Sequence, residues 1–183
     1  RDTKVDAAYD FIKQIEVKIS EQGIGSIASV CGRYYAMDRD GNFERTKLYY
    51  DLVTKGIGLQ VLNIEPALKT SYTKGITDEF IKPTLLDSKG IIKDKDVVIW
   101  MNYRSDRSKQ ILSTFVDPKF SAFEVKEYEN LEVYSWYKFD KNIKTNVFIE
   151  EEPVENPLGI YLSRLDLKQA RVAESEKFPH VTY

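Results

Sequence analysis

Apolar residues recur at helical spacing along several stretches of the chain, and each stretch predicts a helix with one buried face. In the first stretch the apolar positions form a single stripe that ends at Gly23, a residue type that commonly terminates helices. Asp2 or Thr3 precedes this stripe as a candidate helix cap. The predicted helices cover residues 5–22, 43–55, a short segment that begins at Glu65-Pro66, a segment capped by Ser105 or Asp106 that runs to about 115, and 158–165.

Shorter apolar runs predict strands between these helices. Residues 27–31 and 97–101 predict buried strands, whereas residues 131–139 alternate in polarity and predict a strand with both faces partly covered. Residues 170–173 predict a further strand, and the turn-rich residues 78–92 predict a hairpin of short strands. Because a helix, a tight loop and a buried strand follow one another, we expect an α/β unit with a parallel strand pair. The predicted fold class is α/β, with a mixed, largely parallel sheet flanked by helices.

The organisation of the chain predicts a single domain over residues 1–183. The sequence contains no internal repeat and no low-complexity tract, and its length suits one domain with a sizeable core. The acidic, proline-flanked segment 150–157 predicts a linker. The chain starts abruptly at Arg1 without an initiator methionine and stops at Tyr183, so we expect a domain cut from a longer protein.

Composition narrows the classes of partner and cofactor. A formal net charge of −2 excludes a surface-wide footprint for nucleic acid or an anionic membrane, and no apolar run approaches the roughly 20 residues of a membrane helix. The single cysteine, Cys31, excludes an internal disulfide and favours a reducing, cytoplasmic compartment. The single histidine, His180, excludes a multi-histidine metal centre within the chain. We therefore expect no nucleic-acid partner, no membrane partner and no metal ligands here.

Arginine is concentrated after the two predicted buried strands. Arg33 and Arg39 follow the first strand, and Arg104 and Arg107 follow the second, although only eight of the 27 basic residues are arginine. In open α/β sheets ligands bind at the carboxyl ends of the strands. A guanidinium group offers a planar fork that holds carboxylate or phosphate with two hydrogen bonds. The pattern therefore predicts a site for a small, multiply charged anion.

A purely structural interpretation of these arginines remains open. Each could pair with a carboxylate nearby in sequence, Arg39 with Asp38 or Asp40 and Arg107 with Asp106. Structural ion pairs of this kind are common in proteins. For any single arginine this explanation is the stronger one, but two arginine pairs that follow two buried strands favour an anion site.

Other candidate residues carry weaker signals. Asp2 could act as an acid or base beside the arginines, or could simply cap the first helix. Lys177 could balance charge in the site, or could be an ordinary surface lysine. The sequence contains neither a GxGxxG motif nor a P-loop, so it predicts no nucleotide cofactor site.

Several ordered motifs resemble those of the cofactor-independent (2,3-bisphosphoglycerate-independent) phosphoglycerate mutases. The most distinctive is Gly-Arg-Tyr-Tyr-Ala-Met-Asp-Arg-Asp at residues 32–40, and the second arginine motif is Asn-Tyr-Arg-Ser-Asp-Arg at 102–107. Residues 77–84 and 167–177 match two more, and Arg1-Asp2 resembles the tail of an Asp-Gly-Arg-Asp motif. Phe43 stands where the family commonly has Trp, and Ser105 where Pro is common. Together these motifs span essentially the whole chain.

The resemblance implies a two-domain parent enzyme of glycolysis, an isomerase. One domain resembles phosphatases and carries a serine nucleophile with two manganese ions held by Asp and His. The other domain binds substrate and is inserted into the first. This chain would be the inserted domain alone, monomeric and inactive by itself, with the phosphatase-like domain of the same protein as its partner.

The resemblance also implies a mechanism and a set of ligands. The phosphoryl group would pass from 3-phosphoglycerate to the serine and then back to the 2-hydroxyl, giving 2-phosphoglycerate. Asp2 would move hydroxyl protons as general acid and base, and the two domains would close to exclude water. The implied substrate ligands are Arg1, Asp2, Arg33, Arg39, Arg104, Arg107 and Lys177.

An alternative from another class is a stand-alone binding module for small phosphorylated acids. Flanking sequence separates the two hypotheses, because motifs rich in Asp and His on both sides of the chain would indicate the mutase. A chain that natively begins at Arg1 and ends at Tyr183 would indicate the module.

Overall fold

The computed structural model describes residues 3–150, 152, 154–174, 177 and 181. The chain divides into two compact units, Arg1–Glu150 and Glu151–Tyr183, and each is described by itself. The boundary between the units falls at the start of the acidic segment that the sequence predicts as a linker. The prediction of a single domain over residues 1–183 stays a prediction.

The first unit combines helices with six short strands. The predicted helices are present, with small shifts at their ends. In chain order the elements are α1 (Ala8–Gln22), β1 (Ser29–Val30), α2 (Arg33–Ala36), α3 (Phe43–Lys55), β2 (Leu59–Gln60), α4 (Ile64–Thr73), a 3-10 turn at Asp78–Phe80, β3 (Thr84–Leu85), a second 3-10 turn at Ser88–Gly90, β4 (Val97–Trp100), α5 (Ser105–Val116), β5 (Glu132–Ser135) and β6 (Asn146–Val147).

The strands form two three-stranded sheets. In the first sheet, of order β1-β3-β2, the central strand pairs antiparallel with β1 and parallel with β2. In the second, of order β4-β5-β6, both pairs are parallel. The α/β class with mixed, largely parallel pairing is confirmed. The expected parallel partner for β1 is wrong, because β1 pairs only with the antiparallel β3 among the described residues.

The predicted hairpin within residues 78–92 is also wrong. Only Thr84–Leu85 is a strand there, because 3-10 turns at Asp78–Phe80 and Ser88–Gly90 occupy both sides of it. The partners of this strand come from distant parts of the chain, and Thr84 lies opposite both Val30 and Leu59.

Helix α1 is capped by a residue far away in sequence. Asp78 Oδ2 accepts hydrogen bonds from the backbone N–H groups of Ala7 at 2.8 Å and Ala8 at 2.9 Å. A carboxylate at this position also complements the positive end of the helix dipole. Thr3 is therefore not the cap, since the helix begins only at Ala8; Asp2 lies outside the described residues.

Two apolar cores support the first unit. One is formed between α1, α4 and the segment before β3, and the other lies between α5 and the second sheet. The buried residues of the first are Ile12, Ile64, Leu68 and Ile81. Those of the second are Leu112, Val133, Phe139 and Ile143.

Strand β4 is half-buried rather than buried. Val98 and Trp100 pack against the core beneath α5, whereas Val97 is 57% exposed and Ile99 is 53% exposed. Alternate side chains of a strand point to opposite faces, and helix α5 covers only one face of this sheet. An uninterrupted apolar run therefore does not indicate burial here.

The second unit contains helix α6 (Leu158–Arg164), as predicted. The strand predicted at residues 170–173 is absent from the described part of this unit. Arg171 instead donates a hydrogen bond to the carbonyl of Val181 at 3.0 Å, and Gln169 donates to the carbonyl of Gly159 at 3.1 Å. None of the described helices combines the length and apolar character that crossing a bilayer requires.

Candidate anion-binding site

The first arginine segment, residues 32–40, begins where its backbone lies very close to another backbone segment. Gly32 donates its N–H to the carbonyl of Ile81 at 2.8 Å. A Cβ at this position would lie 2.3 Å from the carbonyl oxygen of Glu79, so only glycine fits. This contact holds the start of α2 against the 3-10 turn at Asp78–Phe80. Arg33, the next residue, donates from Nη2 to Glu79 Oε2 at 2.6 Å.

The second arginine segment follows β4 and is held by side chains around Arg104. Asn102 Oδ1 accepts the backbone N–H of Arg104 at 3.0 Å, and Ser108 Oγ donates to its carbonyl at 2.6 Å. Ser108 is fully buried and accepts a hydrogen bond from Trp100 Nε1 at 2.8 Å. Both backbone polar groups of Arg104 are therefore fixed just before helix α5.

Three of the four predicted arginines converge on one place. Arg39 Nη1 lies 2.5 Å from Asp106 Oδ2, and Arg104 binds the same carboxylate through Nη2 at 2.9 Å and Nε at 3.2 Å. Arg107 Nη1 donates to the carbonyl of Met37 at 2.9 Å. Residues about 70 positions apart in sequence thus meet in one group, which we call the arginine cluster: Arg39, Arg104 and Arg107.

Two described carboxylates contact the arginine cluster. Arg39 and Arg104 share Asp106, and the largely exposed Asp40 lies 3.8 Å from Arg39. Among the described residues no carboxylate forms a salt bridge with Arg107. Burial, followed by the positive charges of Arg39 and Arg104, lowers the pKa of Arg107 below its ordinary value. A bound anion would relieve this repulsion.

The carboxyl group of Asp106 is ionised at neutral pH. Burial acts to raise its pKa, but hydrogen bonds and charge from Arg104 and Arg39 outweigh burial and lower the pKa to about 2. Asp106 therefore stays charged and holds two guanidinium groups side by side. The expectation that Asp106 or Ser105 caps α5 is wrong, because Arg104 occupies the cap position and the carboxylate binds arginine instead.

The purely structural interpretation, in which each arginine pairs with a carboxylate, holds for Arg33, Arg39 and Arg104 but not for Arg107. Arg33 pairs with Glu79, while Arg39 and Arg104 pair with Asp106. Of the partners expected from sequence proximity, Asp40 does lie 3.8 Å from Arg39, which also binds Asp106 at 2.5 Å, whereas no described salt bridge joins Arg107 to Asp106. Arg107 binds a backbone carbonyl rather than a carboxylate. Most of its hydrogen-bonding capacity stays available for a ligand, since a guanidinium carries five N–H donors.

A cavity of about 540 Å³ adjoins the two arginine segments. Its volume suits a small ligand, and its wall is made by sequence neighbours of the arginines rather than by their guanidinium groups. The lining residues come from the first arginine segment, from α3, and from β4 and the residues that follow it: Ala36, Met37, Tyr49, Ile99, Trp100, Met101 and Asn102.

The remaining candidate residues lie outside the described residues, in the second unit, or away from solvent. Arg1, Asp2 and His180 lie outside the described residues. Lys177 belongs to the second unit, where its Nζ lies 2.5 Å from Glu174 Oε1 on an exposed surface. Burial raises the pKa of the Cys31 thiol to about 12, so this thiol is protonated and not nucleophilic. The described residues contain no group of three His, Cys, Asp or Glu side chains that could hold a metal.

Sequence reasoning missed two residues beside the arginine cluster. The sequence indicates Asp38 only as a partner for Arg39, but Asp38 is buried and accepts a hydrogen bond from Gln110 Nε2 at 2.9 Å. Gln110 follows Asp106 and Arg107 by about one turn of α5, which places the three side chains on one face. That spacing was the available signal for Gln110.

Comparisons with known proteins show the family to which the chain is similar. The family model described as BPG-independent PGAM N-terminus matches residues 1–141. The chain is 40% identical over 185 residues to the 2,3-bisphosphoglycerate-independent phosphoglycerate mutase of Legionella pneumophila strain Philadelphia 1, covering 100% of this chain and 36% of that protein. The same-named enzyme of Acetivibrio thermocellus is 39% identical over 189 residues, with 100% and 37% covered. The chain thus spans little more than a third of these curated relatives.

A solved structure shows the same fold. A crystal structure of Leishmania mexicana phosphoglycerate mutase, determined at low cobalt concentration, matches with a TM-score of 0.80 and 24% sequence identity. The match covers 97% of this chain and 35% of that one. The family resemblance carried by the motifs is confirmed. Since the family model covers most of the chain, the chain belongs to the BPG-independent PGAM N-terminus family, the N-terminal part of the 2,3-bisphosphoglycerate-independent phosphoglycerate mutases.

Proposed function

We propose that this chain is the substrate-binding part of a cofactor-independent phosphoglycerate mutase, which interconverts 3-phosphoglycerate and 2-phosphoglycerate. The convergence of Arg39, Arg104 and Arg107 carries this proposal. Two segments far apart in sequence bring three guanidinium groups together, and one of them, Arg107, binds a backbone carbonyl instead of a carboxylate. Family membership supports a phosphoglycerate as the anion that these groups bind.

The chemistry of the substrate matches that of the arginine cluster. A phosphoglycerate carries a phosphate and a carboxylate, and each of these groups accepts two parallel hydrogen bonds from a guanidinium fork. Arg107 has N–H donors available before the ligand binds. Arg39 and Arg104 exchange contacts with Asp106 for contacts with the ligand. Each hydrogen bond to a charged group contributes about 1.5–3 kcal/mol. Arg33 joins the set by exchanging Glu79 for a ligand oxygen.

The role of this chain in the reaction is to hold the three-carbon acid while the phosphoryl group is transferred. That group passes to a serine in the remainder of the protein and returns to the other hydroxyl of the same glycerate. Positioning and charge stabilisation dominate phosphoryl-transfer catalysis. The arginine cluster holds the anionic ends of the acid, Arg1 contacts the glycerate, and Lys177 balances charge. Asp2 moves the hydroxyl protons as general acid and base.

The metal requirement of the reaction lies with the remainder of the protein. The described residues do not fit a metal, since they offer no cluster of suitable ligands. We place the two manganese ions in the phosphatase-like domain, together with the serine nucleophile. That domain of the same protein is the proposed partner, and the proposed setting is cytoplasmic glycolysis, with the whole protein acting as a monomer.

A turnover assay of the full-length protein that carries this chain tests the proposal. We expect it to convert 3-phosphoglycerate into 2-phosphoglycerate without added 2,3-bisphosphoglycerate, measured through the formation of phosphoenolpyruvate by coupled enolase. Turnover that requires 2,3-bisphosphoglycerate would contradict the proposal. Binding of 3-phosphoglycerate without any turnover would favour the stand-alone module for small phosphorylated acids.

A further inference from the structure

We propose that Asp38 and Gln110 are positioning residues, which set the spacing of the arginine cluster without touching the substrate. We call their contact the Asp38–Gln110 clasp. This inference rests on the proposed function, because spacing matters only if the arginines hold a ligand. It assigns a role to a buried carboxylate and an amide that the proposed mechanism does not use.

Asp38 stabilises the conformation of the first arginine segment through hydrogen bonds to the backbone. Its side chain is almost completely buried, and it accepts hydrogen bonds from the backbone N–H groups of Asp40 at 3.2 Å and Asn42 at 2.9 Å. The Asn42 amide donates to the other oxygen at 2.9 Å. Burial acts to raise the pKa of Asp38, but these hydrogen bonds and that from Gln110 lower it below its usual range. The carboxylate is therefore charged and holds residues 38–42 in one conformation.

Gln110 joins this segment to helix α5. Its Nε2 donates to Asp38 Oδ2 at 2.9 Å and to Thr46 Oγ1 at 2.6 Å, while its Oε1 accepts the backbone N–H of Gly41 at 3.0 Å. One amide thus contacts three points on the segment that carries Arg39 and on the helix that follows it. Satisfied side-chain networks of this kind stiffen the parts they connect.

The clasp differs from the other contacts between α5 and the first arginine segment. Two of those contacts, Arg39 with Asp106 and Arg107 with the Met37 carbonyl, are made by the arginines themselves. A ligand that binds the arginines competes with Asp106 for Arg39 and shares the guanidinium of Arg107 with the Met37 carbonyl. The Gln110 contacts involve no guanidinium of the arginine cluster, so they persist when the ligand arrives. The clasp is then the polar link that keeps the two segments at the spacing the ligand needs.

The test is steady-state kinetics of the full-length protein with Gln110→Met, which keeps the side-chain length and removes every polar contact. We expect the KM for 3-phosphoglycerate to rise and kcat/KM to fall by roughly ten- to hundred-fold, the usual result of misplacing binding groups by a fraction of an ångström to an ångström. A merely structural role would reduce the amount of folded enzyme, which lowers apparent kcat and leaves KM unchanged. Unchanged KM would therefore overturn the inference.

A second variant and a control complete the experiment. Gln110→Asn keeps the amide but shortens its reach by one methylene, so we expect a raised KM even if the methionine variant folds poorly. Ser113→Ala, which removes one hydrogen bond on the same helix to the carbonyl of Gln110, is expected to leave KM unchanged. A raised KM in Ser113→Ala equal to that in Gln110→Asn would overturn the assignment. If the wild-type protein shows no turnover, the proposed function itself fails. If the wild type and the variants are all active with equal KM values, only the positioning role of Asp38 and Gln110 fails.

Discussion

Replacing Arg107 by alanine in the full-length protein is expected to lower kcat/KM for 3-phosphoglycerate by about 10²–10⁴-fold. The reason is the loss of two hydrogen bonds to a charged group, each of about 1.5–3 kcal/mol, where every 1.4 kcal/mol corresponds to a factor of ten. Arg107 is the member of the arginine cluster that binds a backbone carbonyl instead of a described carboxylate. Steady-state kinetics of mutant and wild type measure the loss directly.

Stability measurements separate this expectation from a structural role for Arg107. Neighbouring Arg39 and Arg104 repel its charge, so the alanine variant relieves repulsion while it loses the bond to Met37. We expect the midpoint of thermal unfolding to stay close to that of the wild type. Arg107→Lys, which keeps the charge but not the planar fork, should recover only part of the activity. Wild-type activity combined with a clear loss of stability in Arg107→Ala would contradict the account.

Replacing Gly32 by alanine is expected to lower the free energy of unfolding by about 2–4 kcal/mol, the combined cost of overpacking and of one lost hydrogen bond. The added Cβ would lie 2.3 Å from the Glu79 carbonyl oxygen and 2.7 Å from the Ile81 nitrogen, and both atoms are backbone. The two segments must separate, which breaks the bond between the Gly32 N–H and the Ile81 carbonyl. Urea denaturation measures the change.

Gly23→Ala provides a matched control for Gly32→Ala. Gly23 ends helix α1 with φ of 67° and has open space around it, so alanine there costs only the left-handed backbone strain of about 1–2 kcal/mol. We also expect Gly32→Ala to lower kcat/KM, because it displaces Arg33 and the segment that follows, whereas Gly23→Ala should not. Equal stability losses with no kinetic difference between the variants would show that the close approach at Gly32 is unimportant.

The sequence predicts helices well in this protein and strand pairing poorly. The apolar stripe between Ala8 and Gln22 and the stop at Gly23 carry local information, and the helix forms there. Strand β3 has only two residues and pairs with β1 and β2 from distant parts of the chain. Its identity depends on partners that no local pattern specifies. The cap of α1 by Asp78 is missed for the same reason.

The candidate site was predictable in its residue types but not in its contacts. Arginines placed after two apolar runs indicate an anion site, and three of them do meet. Two of their partners are distant in sequence, Asp106 for Arg39 and Glu79 for Arg33, whereas Arg104 binds Asp106 only two positions away. Arg33 and Glu79 lie 46 positions apart, so no local pattern predicts their ion pair.

The central claim is that the arginine cluster holds a phosphoglycerate. The most direct test is a crystal structure of the full-length protein with bound 3-phosphoglycerate. The account predicts phosphate or carboxylate oxygens of the ligand within about 3.2 Å of guanidinium nitrogens of Arg104 and Arg107, with the Asp38–Gln110 clasp intact. A ligand bound elsewhere, while Arg104 still holds Asp106 and Arg107 still holds the Met37 carbonyl, would contradict it.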